Sequence, residues 1–233
     1  MINRTFALIL LCLLAGTAHA SDTRYRIEMV FFAHTDDKAF LSEQWPQPQA
    51  AASAAEGSRE ENTTRRFAEL PADEQKLGGA VAQLDKSKRY RVLKHIAWEQ
   101  PGLSEDRAVS VPISGGTDFR MEFPARMESR WIVDANGQMV EIPGPESLNE
   151  MDGSVRLVLG RYLHIYTDLV YRKPVIVEQL DEETQEVSEQ QILFDIPVES
   201  HRKMRSRELH YLDHPLLGIL IEVTPVETAE QSS

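Results

Sequence analysis

The chain has 233 residues, and its hydrophobic fraction of 42% supports a packed core and excludes general disorder. It contains 37 acidic residues against 25 Lys and Arg, a net charge of −12, which excludes nucleic-acid binding through clustered basic side chains. The single cysteine excludes a disulfide framework and any multi-cysteine zinc or iron–sulfur site.

The first twenty residues have the features of a secretory signal peptide, in the usual order. A short basic start ends at Arg4, the apolar run FALILLCLLAG follows at 6–16, and the small-x-small sequence AHA ends at Ala20. The apolar run is too short to span a bilayer as a helix, and no later segment is apolar enough to do so. We expect cleavage after Ala20. Because the removed segment contains one basic residue and no acid, the net charge then becomes −13.

The remaining residues, 21–233, are predicted to form a single domain that begins with a strand at 25–33. This segment is polar on one face at its start and apolar on both faces at its end, as in a strand with neighbours on both sides. Residues 46–66 contain almost no large apolar side chains, so they are predicted to be an exposed, disordered loop.

A helix is predicted over 71–88, where apolar residues recur with helical spacing. Gly78 and Gly79 weaken that helix, and one interpretation is that they permit close packing on a sheet. The next strand is predicted at 90–99, with one face made of Tyr90, Val92, Ile96 and Trp98.

The second half is dominated by alternating segments. Residues 155–172 alternate over eighteen positions and are predicted to be one long strand bent at Gly160. Further strands are predicted at 119–123, 130–133, 192–201, 207–212 and 217–226, with a turn at 213–215. The predicted fold class is therefore α+β, a largely antiparallel meander with one amphipathic helix packed on it and long irregular loops.

No catalytic residue and no cofactor is predicted, because no Walker loop, dinucleotide fingerprint, nucleophile elbow or HExxH sequence occurs. The best metal-like spacing is the weak alternative of His210, Asp213 and His214, for which a polar hairpin turn is the favoured interpretation. The acidic run at 181–183 is interpreted as solvated rather than catalytic.

Two groups of residues are candidates for binding. The first consists of side chains at even positions of the long alternating segment, where aromatic rings with polar tips suit sugars or peptides: Tyr162, His164, Tyr166 and Arg172. The second is the basic segment HRKMRSR, whose arginines suit a carboxylate-rich partner: Arg202, Arg205 and Arg207.

Several segments resemble one known family. YRIEMVFFAH after the signal peptide, SEQWP at 42–46, YRVLKHIAWEQPG at 90–102, RYLHIYTDLVYR at 161–172 and ELHYLDHPLLGILIEVTPV at 208–226 are similar, in this order, to the CsiV family. The resemblance implies a soluble, non-catalytic periplasmic protein that binds peptidoglycan and supports cell-wall biogenesis and cell shape. It also implies action with a class A penicillin-binding protein and its lipoprotein activator. It carries over no binding residues.

Two other functions remain open from the residues. One is a periplasmic hydrolase or metal-dependent enzyme that acts on cell-wall fragments, and the other is a pure protein-interaction module. Because the protein is acidic and wall peptides carry carboxylates, long-range attraction would not drive wall binding. Any binding to the wall is therefore expected to depend on a local basic and aromatic patch.

Overall fold

The computed structural model describes residues 23–36, 38–42, 45, 64–180 and 187–227. The predicted signal peptide, the larger part of the predicted loop and the acidic run at 181–183 lie outside these residues. Among the described residues, no helix is long and apolar enough to cross a membrane.

Strands dominate the described chain, as predicted. In chain order they are β1 (Arg24–His34), β2 (Tyr90–Pro101), β3 (Ser110–Asp118), β4 (Arg130–Val133), β5 (Met139–Ile142), β6 (Asn149–Leu159), β7 (Leu163–Leu180), β8 (Val187–Met204), β9 (Leu209–Asp213) and β10 (Leu217–Pro225). The α-helices are α1 (Lys38–Ser42) and α2 (Gly78–Lys86), with 3₁₀ turns at Ala72–Glu74 and Pro124–Met127.

Two four-stranded antiparallel sheets pack face to face around one core. Sheet A has the strand order β2-β1-β10-β9, and sheet B has the order β3-β6-β7-β8. Strands β4 and β5 form a separate hairpin. The core contains inward side chains from both sheets, as in a β-sandwich, among them Phe31, Trp98, Met151, Ile165 and Ile196.

Strand β1 lies between two neighbours, as its apolar ending predicted. Its odd residues enter the core, whereas Val30 and Phe32 pack against α2 on the outer face of sheet A. The helix is shorter than the predicted 71–88, and α1 was not predicted. The interpretation that its glycines permit close packing is wrong, because a Cβ at Gly78 or Gly79 would meet no atom within 4 Å.

A bulge in β2 overturns the prediction that Tyr90, Val92, Ile96 and Trp98 share one face. Phe31 is opposite Lys94 and Phe32 is opposite Val92, so Leu93 is the extra residue. Leu93, Ile96 and Trp98 belong to the core or pack on it. Tyr90 and Val92 instead pack on the outer side with α2.

Residues 155–172 are not one bent strand. Strand β6 ends at Leu159, a turn follows, and β7 begins at Leu163, directly opposite Leu159. Since odd residues pair with odd residues across this turn, the alternation continues without a break, and the sequence pattern is the same as for a single strand. The turn is closed by the N–H of Gly160, which donates to the carbonyl of Tyr162 at 3.0 Å.

The last third is a meander only in part. Strands β6, β7 and β8 are successive neighbours, and β7 and β8 pair along their full lengths. After β8 the chain crosses to sheet A, where β9 and β10 form a hairpin around the predicted turn at 213–215. Residues 119–123 form a turn rather than the predicted strand, with Phe119 buried against Leu148 and Leu193.

Candidate functional site

The outer face of sheet B carries the aromatic candidates. Tyr166 in β7 lies directly opposite Arg156 in β6 and His201 in β8. Side chains of directly opposed residues project from the same face, so these three form a row across the sheet. Tyr166 is flanked in β7 by Ile165 and Thr167, which are buried on the other side.

Contacts within this row, hereafter the Tyr166 row, hold the rings in a fixed stack. The rings of Tyr166 and His201 are parallel within 4°, with centroids 4.2 Å apart. The guanidinium carbon of Arg156 lies 4.7 Å from the centroid of Tyr166, which is a cation–π contact. Nδ1 of His164 and Nε2 of His201 are 2.9 Å apart, so one imidazole donates a hydrogen bond to the other.

A second cation–aromatic contact lies toward the β6–β7 turn. Nζ of Lys203 is 3.5 Å from the ring centroid of Tyr162. Lys203 is directly opposite His164, so this contact adjoins the Tyr166 row on the same face. Three of the four predicted aromatic-face residues are therefore brought together.

The Tyr166 row lies in a groove of about 1000 Å³. Residues 64–66 border the groove beyond β3, where the N–H of Arg65 donates to the carbonyl of Ser110 at 2.9 Å. This short pairing differs from the predicted disorder at 46–66. The groove is also lined by the loop before β6, through Glu146 and Ser147.

Arg172 also lines the groove, but its guanidinium is held by acidic partners. Nη1 donates to Asp152 Oδ2 at 2.6 Å and to the carbonyl of Asn149 at 2.7 Å, and Nε lies 3.3 Å from Asp195 Oδ1. Asp195 also pairs with Arg126. These contacts connect β6, β7 and β8 to the 3₁₀ turn at Pro124–Met127. Arg172 therefore stabilises the fold and is not free to bind a ligand.

The charge on Asp152 is stabilised at this position. Burial alone would raise the pKa of its carboxyl, but hydrogen bonds from Asn149 and Ser114 and the positive charge of Arg172 outweigh burial, and the net shift of the pKa is downward. Asp152 is therefore an ionised and neutralised part of the groove.

The basic segment lies elsewhere. Arg202 is exposed on edge strand β8, opposite the core residue Ile165. Arg205 and Arg207 belong to the crossover between the sheets, where they pair with Glu208 at 3.7 Å and with Glu227 at 3.3 Å. None of the three lines the groove.

The three residues of the weak metal alternative do not converge. His210 and Asp213 are three residues apart in β9, which places them on opposite faces of the strand. The Asp213 carboxylate instead accepts a hydrogen bond from the Tyr211 hydroxyl at 2.6 Å. Within the part of the chain that the structure describes, no group of three His, Cys, Asp or Glu side chains is placed to hold a metal ion.

Two members of the Tyr166 row, Arg156 and His201, were not among the sequence candidates. The sequence predicts Arg156 to lie in the same strand as Tyr166, ten positions away, and only the turn at 160–162 brings the two together. His201 is the first residue of the basic segment HRKMRSR, in which only the arginines are predicted to bind. The alternation of Ile196, Val198 and Met204 was the available signal that His201 faces outward.

A family model described as "Peptidoglycan-binding protein, CsiV" matches residues 4–226 of the chain. No curated protein matches the chain, and no solved structure matches it.

Proposed function

Since the chain belongs to the CsiV family, which is described as peptidoglycan-binding, we propose that it is a non-catalytic periplasmic protein that binds peptidoglycan through the groove of sheet B. The observation that carries this proposal is the Tyr166 row, in which Arg156, Tyr166 and His201 stack in a groove large enough for several sugar or amino-acid units.

The chemistry of the row suits the polymer. Because Tyr166 stacks between Arg156 and His201, its ring edge and hydroxyl, together with the edge of the imidazole, are left to contact a sugar ring or a peptide. The guanidinium of Arg156 can donate two hydrogen bonds to a carboxylate of the wall. Because the chain has a net charge of −12, these local groups rather than the overall field must supply the attraction.

A sedimentation assay with purified sacculi tests the site. Tyr166→Leu keeps the apolar bulk but removes the aromatic plane, and Arg156→Gln removes the cation. We expect each change to weaken binding about tenfold, as for loss of one good aromatic or charge-assisted contact. Arg205→Gln, which removes an exposed arginine outside the groove, serves as the matched control and should bind like the wild type.

The basic segment provides the decisive contrast. If a variant with Arg202, Arg205 and Arg207 changed to Glu loses binding while Tyr166→Leu and Arg156→Gln bind normally, the segment and not the groove is the wall site. If the wild type stays in the supernatant at low salt, direct wall binding is wrong.

We further propose action with a class A penicillin-binding protein and its lipoprotein activator, in support of cell-wall synthesis. The family resemblance motivates the partners. An exposed apolar patch on the β4–β5 hairpin supports a protein contact, with Trp131, Val133 and Met139 exposed by 60, 66 and 68%. A photocrosslinker at Met139 in cells should capture these partners, whereas one at Glu178 on the β7–β8 hairpin should not. Recovery of neither partner would contradict the proposal.

A further inference from the structure

The charge on the floor of the groove changes sign between two neighbouring rows of side chains, two residues apart along the strands. The Tyr166 row contains the cation of Arg156. Two residues further along β7, Asp168 lies directly opposite Ser154 on one side and Glu199 on the other. This second row lines the same groove and faces the same way as the first, because residues two apart in a strand share a face.

The two carboxylates of the second row are available for a ligand. Among the described residues, neither the Asp168 nor the Glu199 carboxylate makes a hydrogen bond or an ion pair. By contrast, Asp152 in the same groove is neutralised by Arg172. Carboxylates directly opposite each other repel, so a bound cation would relieve a cost that is already present in the folded protein.

Repulsion alone does not mark the site. Glu178 and Glu189 form another directly opposed acidic pair on the same two strands, outside the groove. What distinguishes Asp168 and Glu199 is the neighbouring row, which places a guanidinium and an aromatic stack beside them.

We propose that the groove takes a ligand that carries an ammonium and a carboxylate on the same carbon, with Asp168 and Glu199 binding the ammonium and Arg156 binding the carboxylate. The rows are about 6.8 Å apart along β7. Charged groups on rows this close can both reach one amino-acid head group through charge-assisted hydrogen bonds of about 2.8 Å.

This inference rests on the proposed wall binding and names the part of the wall that is recognised. In a stem peptide that contains a diamino dicarboxylic acid, the free end of that side chain carries both groups. Cross-linking or acylation of the amine removes its charge, so the groove would select uncross-linked stem peptides over cross-linked ones.

The test is calorimetric titration of the full mature protein with a disaccharide tripeptide that ends in a diamino dicarboxylic acid, and with the same compound acetylated on its side-chain amine. We expect acetylation to weaken binding to the wild type about tenfold. The combined variant Asp168→Asn, Glu199→Gln should bind both compounds with the same reduced affinity. Because the variant relieves a repulsion, it should fold at least as stably as the wild type, which thermal unfolding checks.

The matched control is the combined variant Glu178→Gln, Glu189→Gln, which removes an equal charge from the same strands outside the groove and should behave like the wild type. If the wild type binds sacculi but does not distinguish the two compounds, or if the Asp168/Glu199 variant still distinguishes them, this inference is wrong and the proposed function stands. If the wild type binds neither sacculi nor either compound, both fail together.

Discussion

The carboxylate of Glu28 accepts a hydrogen bond from the backbone N–H of Leu77 at 2.6 Å, which joins the outer face of β1 to the start of α2. The same carboxylate accepts from the N–H of Lys76 at 2.8 Å and lies 2.8 Å from Nε2 of His95. Glu28 is only 2% exposed. The first backbone N–H groups of a helix lack partners within the helix, and here a side chain from the sheet supplies one.

Removal of this carboxylate should therefore loosen α2 from sheet A. We expect Glu28→Ala to lower the free energy of unfolding by about 3 kcal/mol, because it leaves one buried and one partly buried N–H group without acceptors. Glu28→Gln keeps one acceptor oxygen and should cost about half as much. Urea unfolding measures both changes. Glu222→Gln, directly opposite Glu28 in β10, is the control and should change stability by no more than about 0.5 kcal/mol. If Glu28→Ala leaves the free energy of unfolding unchanged, Glu28 does not anchor α2.

The ion pair between Arg172 and Asp152 should make the stability of the protein depend on pH. Because the folded-state pKa of Asp152 is lowered, its ionisation contributes stability above the unfolded-state pKa of about 3.9, and this contribution is lost as the pH falls through the lower folded-state value. Arg172→Met should cost about 3 kcal/mol at pH 7, since it leaves the largely buried carboxylate of Asp152 without its cation and Asp195 with Arg126 alone. The difference from the wild type should shrink as the pH is lowered below about 4.

Denaturant unfolding of both proteins between pH 7 and pH 3 measures this effect. Arg120→Met is the control, because Arg120 makes equally short contacts to Asp118, at 2.6 to 3.0 Å, but on an exposed surface. It should leave stability unchanged at every pH. A difference between Arg172→Met and the wild type that is constant across this range would contradict the electrostatic explanation.

The ring of Phe32 leaves no space for a side chain at Gly218. The two residues are directly opposite in β10 and β1, and a Cβ at position 218 would overlap the Phe32 ring. We expect Gly218→Ala to cost about 2 kcal/mol by overpacking. In a Phe32→Leu background the cost should fall by at least 1 kcal/mol, a coupling that a double-mutant cycle detects.

Substitution of Gly79 by alanine should change the stability in the opposite direction. Its Cβ position is open and lies in α2, so Gly79→Ala should stabilise the protein by up to about 1 kcal/mol. Thermal unfolding of both glycine variants gives the comparison. Destabilisation by Gly79→Ala would mean that the site is more crowded than the structure shows.

The local sequence pattern was sufficient to predict most of the strands and part of the candidate site. Alternation in β1 correctly indicated which residues enter the core, because period two is a property of the extended backbone itself. The even-position aromatic residues were recognised for the same reason. The bulge at Leu93 was not recognised, because it depends on how β2 pairs with β1.

The sequence by itself determined the acidic, largely antiparallel β character of this protein, its lack of recognisable catalytic motifs and its likeness to a family. Only the tertiary structure decided that residues 155–172 fold back on themselves, since a turn that pairs odd residues with odd residues leaves the alternation unchanged. That turn places Arg156 over Tyr166, and pairing with β8 adds His201. The groove is built from residues far apart in the chain, and hydrogen bonding between strands, rather than local propensity, sets its register.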